Sequence, residues 1–238
     1  MCTVISLVRP GHAWPLLLAA NRDERTDRAW DPPGAYWPGR PGLIAGRDQL
    51  GGGTWMALRG GVVAAVLNRP GSLGPEPGKR SRGALPLLAL DHADPVAAVA
   101  GLDAAEYRTF NMVVAGRDGA WFVRGEGAGR PQAVRLLPGL HMTTAHDPDD
   151  LASPRVAAHL PRFRAAPPPD PACGDWQVWQ ALLADGSGAR GAALCVPASD
   201  GFGTVCSSLV GVSAEGAAVW LFAAGPPGQA PFRPVALP

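Results

Sequence analysis

The sequence predicts an α+β fold in which antiparallel sheets are covered by helices. Two observations carry this. Short apolar runs rich in β-branched residues occur in turn-joined pairs, and Ala/Leu-rich helical stretches fall in blocks between them instead of alternating strand by strand. No tandem repeat is present, and no glycine-rich phosphate loop stands between a strand and a helix. At 238 residues the chain is expected to form one domain over 1–238 with a sizeable core.

Residues 3–9 and 14–20 flank the turn Pro10-Gly11-His12 and read as an N-terminal hairpin closed by the charged cluster Asn21-Arg22-Asp23-Glu24. Residues 25–42, broken by prolines and glycines, read as a loop, with Trp30, Tyr36 and Trp37 packing it down as a lid. Two strands joined at Gly60-Gly61 follow, the first through Thr54-Trp55-Met56-Ala57-Leu58 and the second ending in Asn68-Arg69. Residues 71–80 are loop. Helices are expected over Ser81 to His92 and Pro95 to Tyr107, with Asp94-Pro95 as cap and first turn. Residues 110 to 144 read as an antiparallel meander. Ser153-Pro154-Arg155 opens a helix to about Ala165, a short helix covers 175–184, and two strands, Thr204 to Val212 and Ala217 to Ala223, end the pattern.

Composition excludes several function classes. The formal charge is +1, Lys79 is the only lysine, and no stretch clusters arginine in the manner of a nucleic-acid-binding surface. No run approaches the roughly 20 apolar residues of a spanning helix, and no signal peptide is evident, so a soluble cytoplasmic protein is expected. Cysteines at 2, 173, 195 and 206 have neither zinc-site spacing nor disulfide-scaffold density, and five scattered histidines offer no metal set. Cys195 and Cys206 are expected to be buried and unreactive.

Cys2 is the residue that carries chemistry. Removal of Met1 would leave a terminal cysteine with both a thiol and an α-amine, which titrate near ~8.5 and ~8, so one residue can be nucleophile and base. The competing reading is a small buried residue in a first strand. Asp23 and Glu24 are either partners of that amine or a solvated strand end paired with arginines. Asn68 is a turn-former or a site donor, Trp55 is core or pocket wall, and His146 is a solvated turn or an acid.

The Met-Cys start, Asn21-Arg22-Asp23-Glu24, Gly52-Gly53-Thr54-Trp55, Asn68-Arg69, Phe110-Asn111 and Gly203-Thr204 with Ser207-Ser208 together resemble the NRDE family, which includes the transport and Golgi organisation protein 2 group. The resemblance implies a four-layer αββα sandwich of two antiparallel sheets, of the N-terminal nucleophile hydrolase type. It also implies Cys2 as nucleophile, Asp23 as the carboxylate holding its amine, and Asn68 as an oxyanion donor, with Asn21, Arg22, Trp55, Arg69, Thr144 and His146 around a small-molecule substrate. Two departures from the hydrolase pattern stand out: Ala20 replaces an arginine before the tetrapeptide, and Thr143-Thr144-Ala145-His146 replaces a segment bearing a site asparagine. The expected activity is cleavage or transfer at an amide or thioester, with no cofactor required. The alternative from the same resemblance is a haem or lipid/acyl-CoA carrier, haem being its first candidate ligand.

Overall fold

The computed structural model describes residues 2–238. In chain order the strands and helices are β1 (Thr3–Val8), β2 (Leu16–Arg25), β3 (Trp30–Gly34), β4 (Ile44–Asp48), β5 (Met56–Arg59), β6 (Val62–Asn68), α1 (Leu85–Leu90) and α2 (Pro95–Ala100). They continue with β7 (Phe110–Gly116), β8 (Gly119–Gly125), β9 (Gln132–Arg135), β10 (Gly139–Thr143), α3 (Pro154–Ala165), α4 (Gln177–Leu183), β11 (Phe202–Val212), β12 (Ala218–Ala223) and β13 (Phe232–Pro234). One sheet runs β10-β1-β2-β11-β12-β13 and the other β3-β4-β5-β6-β7-β8-β9. Neighbouring strands are antiparallel in both.

Side-chain alternation along β2 shows how the layers arise. Leu16 and Leu18 face the second sheet, where they meet Met56, Leu58, Val63 and Val113. Leu17 and Ala19 face outward onto Val156, Leu160 and Phe163 of α3 and Trp179 and Leu183 of α4. A strand buried on both faces needs a continuous apolar run, which Leu16 to Ala20 supplies. The second sheet repeats the arrangement, with Ala57, Ala64, Met112 and Val114 under Leu85 and Leu87 of α1 and Val99 of α2. Helix, sheet, sheet and helix give the four-layer αββα sandwich.

Four expectations need correction. The segment expected as loop over 25–42 contains β3, which carries Pro32 and Pro33 on a sheet edge with a register shift between Asp31 and Gly34. An edge strand tolerates the missing N–H groups. Its partner β4 was not visible because Ala45-Gly46-Arg47 has no apolar alternation; Gly46 is there because a Cβ would meet the Trp55 ring at 2.3 Å. The helices expected over 81–92 and 95–107 are short, six residues each in α1 and α2, and are flanked by 3-10 turns at Arg82–Ala84 and Ala104–Glu106. The meander expected over 110–144 ends at β9. β10 crosses to the other sheet and pairs with β1, where Met142 packs under α3.

Candidate active site

Cys2 lies at the open end of β1, between the sheets. Thr3 pairs with Asn21 of β2, so Cys2 stands alongside Arg22, and Arg22 in turn faces Cys206 of β11. Cys2 is half-buried against the inter-sheet core, and its Sγ lies 3.7 Å from the Asp23 carbonyl oxygen. Burial is the largest cause and pushes its thiol pKa up, outweighing the effects that lower it, among them the hydrogen bond to the Asp23 backbone and, least, the Arg22 guanidinium. A neutral thiol of this kind needs a base to become a nucleophile. Cys206, more deeply buried, has its pKa driven up by the same cause.

Alternation along β2 sends neighbouring residues of its charged and polar end to opposite faces. Asn21 and Asp23 point toward the α3/α4 layer. Asp23 is buried, and its Oδ2 accepts from Arg155 Nη1 at 2.8 Å while Oδ1 accepts from Thr204 Oγ1 at 2.7 Å. Arg155 Nη1 also donates to Thr3 Oγ1 at 2.9 Å. This guanidinium comes from the first turn of α3. Asn21 donates from Nδ2 to the carbonyls of Leu183 and Leu194, both at 3.0 Å, and accepts from Ser207 Oγ at 2.5 Å. Expected at the substrate, Asn21 instead ties α4 and the segment before β11 to the sheet.

Arg22 points the other way, into the space shared with Cys2. Its guanidinium lies over the Trp55 ring at 4.2 Å, and Nη2 donates to Asp48 Oδ2 at 2.9 Å. Asp48 also takes Arg28 through both carboxylate oxygens and the Gly51 N–H. Burial raises the Asp48 pKa, but these donors together with Arg22 outweigh it and hold the carboxyl below its usual range.

Above Cys2 opens a cavity of about 660 Å³, walled by the end of β2, the loop 48–55, Asn68 and the loop 73–83. Seven arginine and lysine residues line it against four acidic ones, a basic bias in a chain of formal charge +1. Arg82 is among them; its Nη1 donates to the carbonyls of Ser72 and Thr109, and burial first, then neighbouring Arg108, lowers its pKa to about 10. Gly53 lets the two loops touch: Thr54 N–H donates to Gly83 O at 2.9 Å, and a Cβ on Gly53 would lie 2.4 Å from that backbone. A hollow of about 810 Å³ at the opposite end, bordered by Gly60, Trp121 and Glu215, carries no cysteine. Among the described residues no cluster of His, Cys, Asp and Glu is arranged to hold a metal.

Of the residues expected around the substrate, Cys2, Arg22, Trp55 and Asn68 line this cavity, as does Asp23. Arg69, Thr144 and His146 do not. Arg69 Nη1 donates to Asn111 Oδ1 at 2.6 Å and Asp147 Oδ1 at 2.7 Å, which takes its guanidinium out of the site. Thr144 is buried against Ser153, and His146 sits 3.5 Å from Asp150. Asn111 Nδ2 holds the carbonyls of both, at 3.0 and 2.8 Å. These three therefore brace the loop after β10. Arg82 and Asp48, which line the cavity, and Arg155, which holds Asp23, were missed by sequence reasoning; the Ser153-Pro154-Arg155 helix start was the available signal for one of them.

The profile of the Transport and Golgi organisation 2 family matches residues 1–165. No curated protein sequence matches the chain. Among solved structures it is similar to a Caenorhabditis elegans ortholog of N-acylethanolamine-hydrolyzing acid amidase, at 13% identity with a TM-score of 0.57, covering 87% of this chain and 92% of that one. At that identity the likeness shows the fold, which is that of the N-terminal nucleophile hydrolases. With the family profile matching more than half of its length, this chain belongs to the Transport and Golgi organisation 2 family.

Proposed function

We propose that this protein is a cysteine N-terminal nucleophile hydrolase or acyltransferase acting on an amide or thioester of a small molecule. The observation that carries the reading is the placement of Cys2 at the floor of a cavity whose wall also holds Asn68. After removal of Met1, the α-amine takes the thiol proton and the thiolate attacks the carbonyl. Asn68 donates to the developing oxyanion, and the amine, now charged, returns the proton to the leaving nitrogen or sulfur. Water or an acceptor, deprotonated by the same amine, then releases the acyl group from Cys2. Asp23, pinned by Arg155 and Thr204, is the carboxylate that favours the charged amine. A reducing compartment such as the cytoplasm keeps the thiol free for this cycle.

Incubation with an activated ester or thioester, followed by mass spectrometry, tests the reading. One acyl adduct per chain on wild type and none on Cys2→Ala is expected; equal labelling of the two sinks the nucleophile assignment.

The same cavity supports a second reading, carriage of haem, a lipid or an acyl-CoA. Its basic wall suits an anionic ligand, and exposed Leu50 and Leu73 stand at its mouth. Among the described residues Cys2 is its one thiol and neither histidine nor methionine lines it, so haem would compete for the nucleophile. A saturable Soret shift lost in Cys2→Ala supports haem carriage; no shift at micromolar haem removes it.

A further inference from the structure

Arg22 is held on one side and open on the other. Its side chain is 6% exposed, Trp55 covers its face, and Asp48 takes Nη2, yet Nη1 is buried with no hydrogen-bond partner among the described residues. A buried charged donor left unpaired is costly, and beside a cavity it calls for a partner, a ligand or a water, to complete it. Arg22 and Cys2 together border the large cavity and also a void of about 20 Å³, room for one oxygen-sized group. The surrounding wall is basic. Asp48, the nearest carboxylate, is already shared between Arg22, Arg28 and the Gly51 N–H.

We infer that Arg22 Nη1 is the anchor of an anion subsite beside the Cys2 thiol, and that the compounds this site takes carry a carboxylate next to the carbonyl that Cys2 attacks. With Nη2 engaged, Arg22 offers the N–H groups of one terminal nitrogen, Nη1, to one carboxylate oxygen. The small void admits that oxygen and is too tight for the three free oxygens of a phosphate. The inference rests on Cys2 as the reacting group, and it names the substrate class of the same site.

Alkylation of Cys2 by two reagents of equal reach and different charge provides the test. Iodoacetate carries a carboxylate one carbon from the reacting centre; iodoacetamide is its neutral counterpart. Rates are read at the Cys2 peptide by mass spectrometry, with 2-mercaptoethanol as the neutral-thiol reference and exposed Cys173 as internal control. The iodoacetate-to-iodoacetamide ratio at Cys2 is expected to exceed the reference ratio by roughly tenfold, the scale of one charge-assisted hydrogen bond. It should fall to the reference in Arg22→Gln and recover in part in Arg22→Lys. If Arg22 only lowers the thiol pKa, both rates drop together and the ratio stays constant; if a water satisfies Nη1, wild type shows no preference. Either result overturns the subsite.

Wild type alone keeps the inference testable if Arg22→Gln does not fold. Acetate at constant ionic strength should then protect Cys2 from iodoacetamide at lower concentration than chloride or inorganic phosphate; equal protection by all three, or better protection by phosphate, contradicts a carboxylate site. None of these measurements needs Met1 removal or acyl transfer, so failure of the hydrolase reading and failure of the subsite give separate signatures.

Discussion

Arg155 on α3 and Asp23 on β2 form an ion pair at 2.8 Å whose side chains are 5% and 0% exposed. This buried pair is the hinge between the helical layer and the end of the strand that borders Cys2. It joins residues 132 positions apart, and the same guanidinium nitrogen reaches Thr3, the neighbour of Cys2.

Removing one partner of such a pair strands the other charge in a low-dielectric interior, which costs about 3–5 kcal/mol. Arg155→Met is therefore expected to lower the unfolding free energy by that amount in urea titration. A loss under about 1 kcal/mol would show that the pair does not hold the strand end.

Gly46 and Trp55 are in equally direct contact. The added methyl of Gly46→Ala would sit 2.3 Å from the indole ring, so the ring must shift and its stack on Arg22 loosens. Overpacking of this kind costs about 1–3 kcal/mol. Tryptophan emission should change with it; an unaltered spectrum and midpoint would contradict the contact.

The His141–Asp149 pair gives a pH signature. Its hydrogen bond to Asp149 raises the His141 pKa, against the opposing effect of burial. For Asp149, burial pushes the pKa up, but the His141 ring and the Met142 N–H more than offset this and leave it lowered. A raised histidine stabilises the fold fully below its unfolded value near ~6.5 and loses that contribution as pH rises through the folded pKa. A lowered aspartate contributes above its unfolded value near ~3.9 and loses the contribution as pH falls through its folded pKa. The cost of His141→Gln should thus be about 0.5–1 kcal/mol near pH 5.5 and shrink toward pH 8.5, in paired thermal melts. A cost that grows with pH would have the wrong sign.

Asn68 and His146 separate site from scaffold. Asn68→Ala is expected to slow acylation of Cys2 by about 10²–10³-fold, the value of one oxyanion donor, with little change in stability. His146→Ala, outside the cavity, should leave the acylation rate within about twofold. The reverse ranking in single-turnover kinetics would show that the loop after β10 reaches the substrate after all.

The strand that follows Cys2 and the strand that carries Asn68 were legible because their apolar runs are short, β-branched and turn-bounded, a local signal. Cys2, Arg22, Trp55 and Asn68 were legible through motif resemblance, and all four line one cavity. What local pattern could not give was direction. Asn21 shares a tetrapeptide with Arg22, yet strand alternation commits it to the Leu183 and Leu194 carbonyls on the opposite face. Arg69 lies one residue past Asn68 and turns toward Asp147. Arg155 was visible only as a helix opener, because nothing in a Ser-Pro-Arg start announces a partner on a distant strand. β3 and β4 escaped notice for a related reason: edge position and contact with Trp55, not apolar periodicity, fix their residues.

The most direct test of the central claim is mass spectrometry of the N-terminal peptide after brief exposure of the purified protein to an activated thioester. The peptide is expected to begin at Cys2, carry one acyl group on that residue's side chain, and lose it on standing in buffer as the enzyme turns over. A peptide that retains Met1, or an acyl group found on Cys173 with Cys2 unlabelled, would contradict that claim.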